Sequence, residues 1–222
     1  MKPESDVPGR DQAESDKIHR SAQHSPQGFD NKEFWERRYT TDLKLGSGAG
    51  SRGEFAEYKR ELLRQVIEEF HPQSILDVGC GDIEVTRDLP FSGEYTGIDL
   101  SPSIVARNRA LQPAWHFIAD DFLDIVRREP LEADLVICFD VLIHQHEYET
   151  YRAFVRELVN AARKVAIING FEVPRNGRVR SKNCAYHEPL TQTLTELGEE
   201  VPMKIIGPFR NSLVVQIDRR SA

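Results

Sequence analysis

The residues of this chain whose types and spacing most directly imply chemistry lie in Asp77-Val78-Gly79-Cys80-Gly81-Asp82, two glycines bracketed by carboxylates. They end the apolar run Ile75-Leu76-Asp77-Val78, which suits a buried parallel strand. Gly79 and Gly81 let the backbone turn through positive φ or approach a ligand closely. Ile83 to Leu89 is helix-compatible, so its first amides are expected to point back over the glycines.

Further carboxylates recur at the same place in the pattern. Asp99 ends the next apolar run, 22 residues after Asp77, where a carboxylate accepts hydrogen bonds from both hydroxyls of a ribose. Asp120-Asp121-Phe122 is a second acidic turn, suited to an adenine amino group, so an adenosine ligand is expected. The dinucleotide fingerprint is broken, since Glu84 stands where its third glycine belongs. After the fourth apolar run come Asp140 and the pair His144 and His146, either of which is a candidate general base. His144, His146 and Glu147 are too short a cluster to argue for a metal, and none is expected. The loop from Pro174 to His187 carries Arg175, Arg178, Arg180 and Lys182, either a solvated loop or a clamp for an anionic substrate.

The elements that must position these groups alternate. Helices are expected over Asn31–Tyr39, Glu54–His71, Pro102–Ala110, Phe122–Arg128, Glu147–Ala162 and Glu188–Leu197. Strands are expected over Ile75–Val78, Glu94–Ile98, His116–Ile118, Leu135–Phe139 and Lys164–Ile168. Ser101 and Pro102 form an N-cap and first helical position. Such alternation implies a parallel sheet with helices on both faces and ligands beyond the strands' carboxyl ends. Met203–Ile206 and Leu213–Ile217 break the rhythm: six residues between them are too few for a helical crossover, so these strands pair antiparallel. The glycine-rich run Gly46-Ser47-Gly48-Ala49-Gly50-Ser51, between two helices, is a linker or an active-site lid. Residues 1–28 hold almost no large aliphatic side chains and are expected to be a disordered tail ahead of one domain over 29–222, with cap and lid in 29–71 and the core in 72–222.

A net charge of −7 and a pI near 5.6 create no field that attracts nucleic acid or an anionic membrane. No apolar run approaches the roughly 20 residues of a membrane helix, so a cytoplasmic protein is expected. Cys80, Cys138 and Cys184 have neither the number nor the spacing of a disulfide framework.

Taken together, Leu76 to Asp82, Gly97-Ile98-Asp99-Leu100-Ser101, Ala119-Asp120-Asp121-Phe122 and Phe139-Asp140-Val141-Leu142-Ile143-His144 resemble the motifs of class I S-adenosylmethionine-dependent methyltransferases over roughly residues 34–217. The resemblance implies a Rossmann-like three-layer α/β sandwich: a mostly parallel seven-stranded sheet with a C-terminal antiparallel hairpin and an N-terminal helical cap. It implies that Asp77, Gly79 and Gly81 line the methionine half of S-adenosylmethionine, that Asp99 with Leu100 holds the ribose, that Asp120, Asp121 and Phe122 frame the adenine, and that Asp140 closes the floor beneath the sulfonium. In that family the histidine of a D-V-L-x-H run, here His144, is often structural. A cleft lined by Asp77, Asp82, Asp99, Asp120 and Asp140 complements a cationic donor and repels a pyrophosphate.

The resulting expectation is a methyltransferase, monomeric or homodimeric, acting on a small-molecule hydroxyl such as that of a sugar or specialised metabolite. Tyr39, Asn169, Arg175, Arg178 and Tyr186 are the candidate acceptor-binding residues. Amine N-methylation, protein methylation, a catalytically silent cofactor-binding module and a nicotinamide oxidoreductase are the alternatives. A nucleic-acid acceptor is disfavoured by the acidic balance and by Phe139-Asp140-Val141-Leu142 in place of an N-P-P-Y tetrapeptide.

Overall fold

The computed structural model describes residues 29–42, 44–171, 180–181, 183–185, 187–197, 202–209 and 212–219. The tail expected over 1–28 lies outside them, as do Arg175, Arg178 and Tyr186.

Helix α1 spans Asn31–Thr41 and starts where the Asp30 carboxylate accepts the Glu33 amide at 2.9 Å. A 3-10 turn over Ala49–Ser51 leads into helix α2, Gly53–Phe70, which buries one stripe, Ala56, Leu62, Leu63, Val66 and Phe70. His71 ends it in the left-handed region (φ 45°), ahead of Pro72. Strands β1 (Ser74–Val78), β2 (Glu94–Asp99), β3 (His116–Ala119), β4 (Ala133–Cys138) and β5 (Ala162–Phe171) follow, with helices α3 (Pro102–Leu111), α4 (Phe122–Arg128) and α5 (Tyr148–Asn160) on the crossovers. Two short strands, β6 (Arg180–Ser181) and β7 (Cys184–Ala185), precede helix α6 (Leu190–Glu196), and β8 (Met203–Phe209) and β9 (Ser212–Asp218) end the sheet.

The sheet runs β3-β2-β1-β4-β5-β9-β8, parallel except for β9, which is antiparallel to β5 and β8. Period-2 alternation splits its core: Ile75, Leu135, Ile137 and Ile167 pack on the α2 side, and Leu76, Val136, Cys138 and Ile168 on the α5 side. Strand order reverses between β1 and β4, and an open α/β sheet places its ligand crevice beyond the carboxyl ends of strands at such a point. The α/β class, the seven strands and the terminal hairpin are as the sequence predicts.

One element departs from expectation. Residues 83–89 form successive turns, not a helix. Ile83 stands at φ 51°, outside the right-handed region, and the chain closes a single i to i−4 bond, from the Arg87 amide to the Ile83 carbonyl at 2.9 Å. Residues 83–89 therefore present no helix N-terminus to the glycine turn.

Candidate active site

The cleft encloses about 970 Å³, part of it open to solvent, and it is built from the ends of β1, β2, β3 and β4 beneath α1 and the glycine-rich loop. At its centre the Gly79 and Cys80 amides both donate to the Ile98 carbonyl, at 2.8 and 3.0 Å, which folds the turn across β2. Gly79 stands at φ 74° and Gly81 at φ 51°. A Cβ on Gly79 would lie 2.2 Å from Val141 Cγ2, and one on Gly81 would lie 2.2 Å from Ser47 Oγ. Both glycines are therefore demanded by backbone sign and by space. Gly79→Ala is expected to weaken S-adenosylhomocysteine binding measured by calorimetry by about 1–3 kcal/mol, because the turn must move off Val141. Native affinity in that variant would place the ligand elsewhere.

The five acidic positions singled out from the sequence all line the cleft, but their chemistry differs. Asp77 is buried in β1, where Tyr95 Oη donates to its Oδ2 at 2.6 Å and Thr86 Oγ1 at 3.3 Å; burial pushes its carboxyl up to about 6. Asp99 at the end of β2 accepts the Gly81 amide on Oδ2 at 3.0 Å and the Ser101 amide on Oδ1 at 2.9 Å. Burial also raises Asp99, again to about 6. Leu100 lines the cleft beside it.

Asp82, Asp120 and Asp140 are each ion-paired. Arg128 binds Asp120 and draws its pKa below the usual carboxylate range. Asp121 caps α4, accepting the Leu123 amide at 2.8 Å and the Asp124 amide at 3.3 Å. Phe122 is buried against Phe154 and lines the same end of the cleft. The negative field is thus weaker than a count of carboxylates suggests, and Asp77 and Asp99 carry what is unpaired by cations.

Asp82 anchors the glycine-rich loop. Its carboxylate accepts the Ser47 amide at 3.2 Å and Ser47 Oγ–H at 2.9 Å, pairs with Arg52, and its own amide donates to Ser47 Oγ at 3.0 Å. Arg38 Nε donates to the Gly46 carbonyl at 2.8 Å, and Glu36 of α1 bonds Ser101 and Ser103 at the start of α3. Cap and loop are therefore tied across the crevice by polar contacts, as suits a lid more than a flexible linker.

Asp140, at φ 59° just beyond β4, lies on the floor of the cleft. It is bonded to Lys59 Nζ at 2.7 Å and to Asn169, whose Oδ1 accepts the Asp140 amide at 2.6 Å and whose Nδ2 donates to its Oδ1 at 2.9 Å. Asn169 thus supports the floor from β5 and is not among the lining residues.

Trp35, Tyr39, Phe139, Val141, His144 and Gln145 also line the cleft. Tyr39 is buried and hydrogen-bonds Ser47 Oγ at 3.1 Å. His144 is 7% exposed; its Nδ1 bonds the Asn183 carbonyl, its backbone carbonyl accepts Asn31 Nδ2 at 2.7 Å, and the Trp35 ring meets it edge-on at 5.0 Å. Because a carbonyl only accepts, Nδ1 carries the proton and Nε2 is left as the basic nitrogen. Burial holds His144 below its ordinary pKa, so the ring is neutral at pH 7. His146 instead stacks on Phe29 at 4.4 Å, away from the cleft lining. The sequence reading missed Asn31, Ser47, Lys59 and Gln145; only the lid sequence around Ser47 carried a signal.

Residues 75–164 match the sequence model of a family described as a methyltransferase domain. Among solved structures, the chain resembles magnesium protoporphyrin IX methyltransferase from Synechocystis PCC 6803 with bound SAM (19% identity, TM-score 0.57, 88% of this chain and 100% of that one). It also resembles 1,6-didemethyltoxoflavin-N1-methyltransferase from Burkholderia thailandensis, solved with that compound and S-adenosylhomocysteine (16% identity, TM-score 0.58, 96% and 92%). A third resemblance is to the small RNA methyltransferase HEN1 (17% identity, TM-score 0.61, 75% of this chain and 25% of that one). No significant sequence match is found among curated proteins. Residues 75–164 thus match a methyltransferase domain, and the chain shares the Rossmann-like fold of these solved methyltransferases.

Proposed function

We propose that this SAM-dependent methyltransferase transfers its methyl group to a small-molecule hydroxyl, with His144 as the general base. The observation that carries the reading is the fixed tautomer of a neutral, buried His144 that lines the same cleft as Asp99 and Phe122. The cofactor fits the residues present: the glycine cradle tolerates no Cβ, Asp99 has lone pairs left for ribose hydroxyls, and Asp77 and Asp99 suit a cationic ligand better than a pyrophosphate. When bound, S-adenosylmethionine supplies an electrophilic methyl on a sulfonium. The protein's own work is to hold the acceptor in line, exclude water with α1 and the lid, and receive the acceptor's proton on His144 Nε2.

A small acceptor is supported by the closure of the cleft under α1 and the lid, tied down through Glu36 and Asp82. The HEN1 likeness covers a quarter of that protein and supplies fold alone. Amine methylation uses the same base, and the toxoflavin methyltransferase, named for N1, keeps that alternative in the screen. No helix of the described residues is long and apolar enough to cross a membrane. A cytoplasmic placement and a monomer or homodimer belong to the same proposal.

Calorimetry of the full chain with S-adenosylhomocysteine and, separately, NAD tests the donor. Saturable heat with the first alone is expected; binding of NAD alone would sink the reading. Screening a metabolite library for transfer of labelled methyl then tests the acceptor, with the methyl ether of a sugar or other metabolite hydroxyl as the expected product and an N-methylated amine as the result that overturns the choice.

A further inference from the structure

Lys59 is charged, in the middle of an amphipathic helix, and completely buried, with 0% exposure. An uncompensated ammonium there would cost several kcal/mol, so its partners reveal what it is for. Two of them, among the described residues, lie on different elements. Nζ donates to the Gly50 carbonyl of the lid's 3-10 turn at 2.8 Å and to Asp140 Oδ2 on the floor at 2.7 Å. The ammonium also sits 5.0 Å from the centre of the Phe139 ring. Gly50 is itself buried, so this bond ties down an enclosed carbonyl of the turn, not a surface one.

We propose that Lys59 is a positioning residue that joins the lid to the post-β4 floor, so that enclosure of the cleft and placement of the segment carrying Asp140 and His144 are one event. Asp140 sits at φ 59°, a strained setting for a residue with a Cβ, and persists because Lys59 and both amide atoms of Asn169 fix it. His144 follows four residues later, in the turn over Leu142–His144, whose His144 amide donates to the Val141 carbonyl at 2.9 Å. Freeing the lid from Lys59 withdraws one of the two side chains holding the floor, and the converse holds. A lysine whose sole task was to neutralise Asp140 would need no bond to Gly50. The inference extends the methyltransferase reading but rests on it only for the choice of ligand.

Hydrogen exchange by mass spectrometry on the full chain reads the joint directly, with no acceptor needed. In the native protein the amides of 44–52 and of 139–144 are expected to share one opening free energy and one denaturant dependence. Asp140→Asn, which keeps the Lys59 to Gly50 bond but weakens the link to the floor, is expected to speed exchange in both segments, the lid less than loss of Lys59 does. In Lys59→Met and in Lys59→Met/Asp140→Asn, where no carboxylate is left unpaired, the lid is expected to exchange about tenfold or more faster, as loss of a charge-assisted hydrogen bond implies. S-adenosylhomocysteine should slow exchange in both segments of the native protein and, in the double variant, in the floor alone. Two results overturn the joint: a double variant that melts natively and keeps native lid exchange, or native segments that open with different free energies. The second needs no variant, so it decides the matter even if the substitutions prevent folding. Failure of S-adenosylhomocysteine to bind the native chain would refute the donor assignment and leave the exchange result standing.

Discussion

Replacing His144 with alanine is expected to lower methyl-transfer turnover by about 10²–10⁴-fold, the usual worth of a positioned general base, while affinity for S-adenosylhomocysteine changes by less than about twofold. The separation follows from contacts: His144 meets Asn183, Asn31 and Trp35, whereas Asp99 and the glycine turn are bonded to each other. The pH profile adds a second signature. Burial lowers the folded pKa of His144 below 6.5, so the neutral, basic form prevails through pH 7 and is lost as the pH falls through that lowered value. Turnover should therefore fall on the acid side below about pH 6.5, and this limb should vanish in His144→Ala. His146→Ala, at a ring that stacks on Phe29, should retain the limb. Full turnover in His144→Ala would remove the histidine from the chemistry and leave it as packing for Trp35.

What made the donor half legible is that its chemistry sits in the backbone of consecutive residues. A glycine that must take φ 74° and lie against Val141 is written into the sequence as a glycine, and a carboxylate closing a β-strand is written as Asp99. Periodicity likewise predicts the strands and α2, because burial on both sheet faces and along one helical stripe leaves a pattern in residue order. The apolar residues of 83–89 mimic a helix, whereas the chain there passes through a left-handed Ile83 whose amide bonds the Cys80 carbonyl of the glycine turn. The partners of the carboxylates were illegible for a similar reason. Lys59 falls on the buried stripe with Ala56, Leu63, Val66 and Phe70, but the stripe does not say that its partner is Asp140, 81 residues away. Asp82, expected as one of the carboxylates lining the cleft, spends its oxygens on Ser47 and Arg52, which lie 35 and 30 residues away in the sequence.

The ribose contact is the other large effect. Asp99→Ala is expected to weaken S-adenosylhomocysteine binding by roughly 1.5–3 kcal/mol, since charged hydrogen bonds to both hydroxyls are lost in a buried setting. Part of any loss will come from the turn itself, because Asp99 also accepts the Gly81 and Ser101 amides. The two contributions separate in calorimetry against melting. Release of the turn lowers the melting temperature of the unliganded chain, whereas loss of the ribose contact shrinks the rise in melting temperature that ligand produces. pH gives an independent handle whose sign is fixed. Burial raises the Asp99 carboxyl to about 6, so near neutrality it is ionised and accepts on both oxygens, while below that value it gains a proton and loses acceptor capacity. Affinity in the native chain should therefore climb as pH rises through about 6 and flatten above it. Asp77 also lines the cleft and stands near the same value, so the rise should be reduced but not abolished in Asp99→Ala. An unchanged affinity in Asp99→Ala, with the native pH dependence intact, would mean that the ribose is held elsewhere and that Asp99 serves only to lock Gly81 to the start of α3.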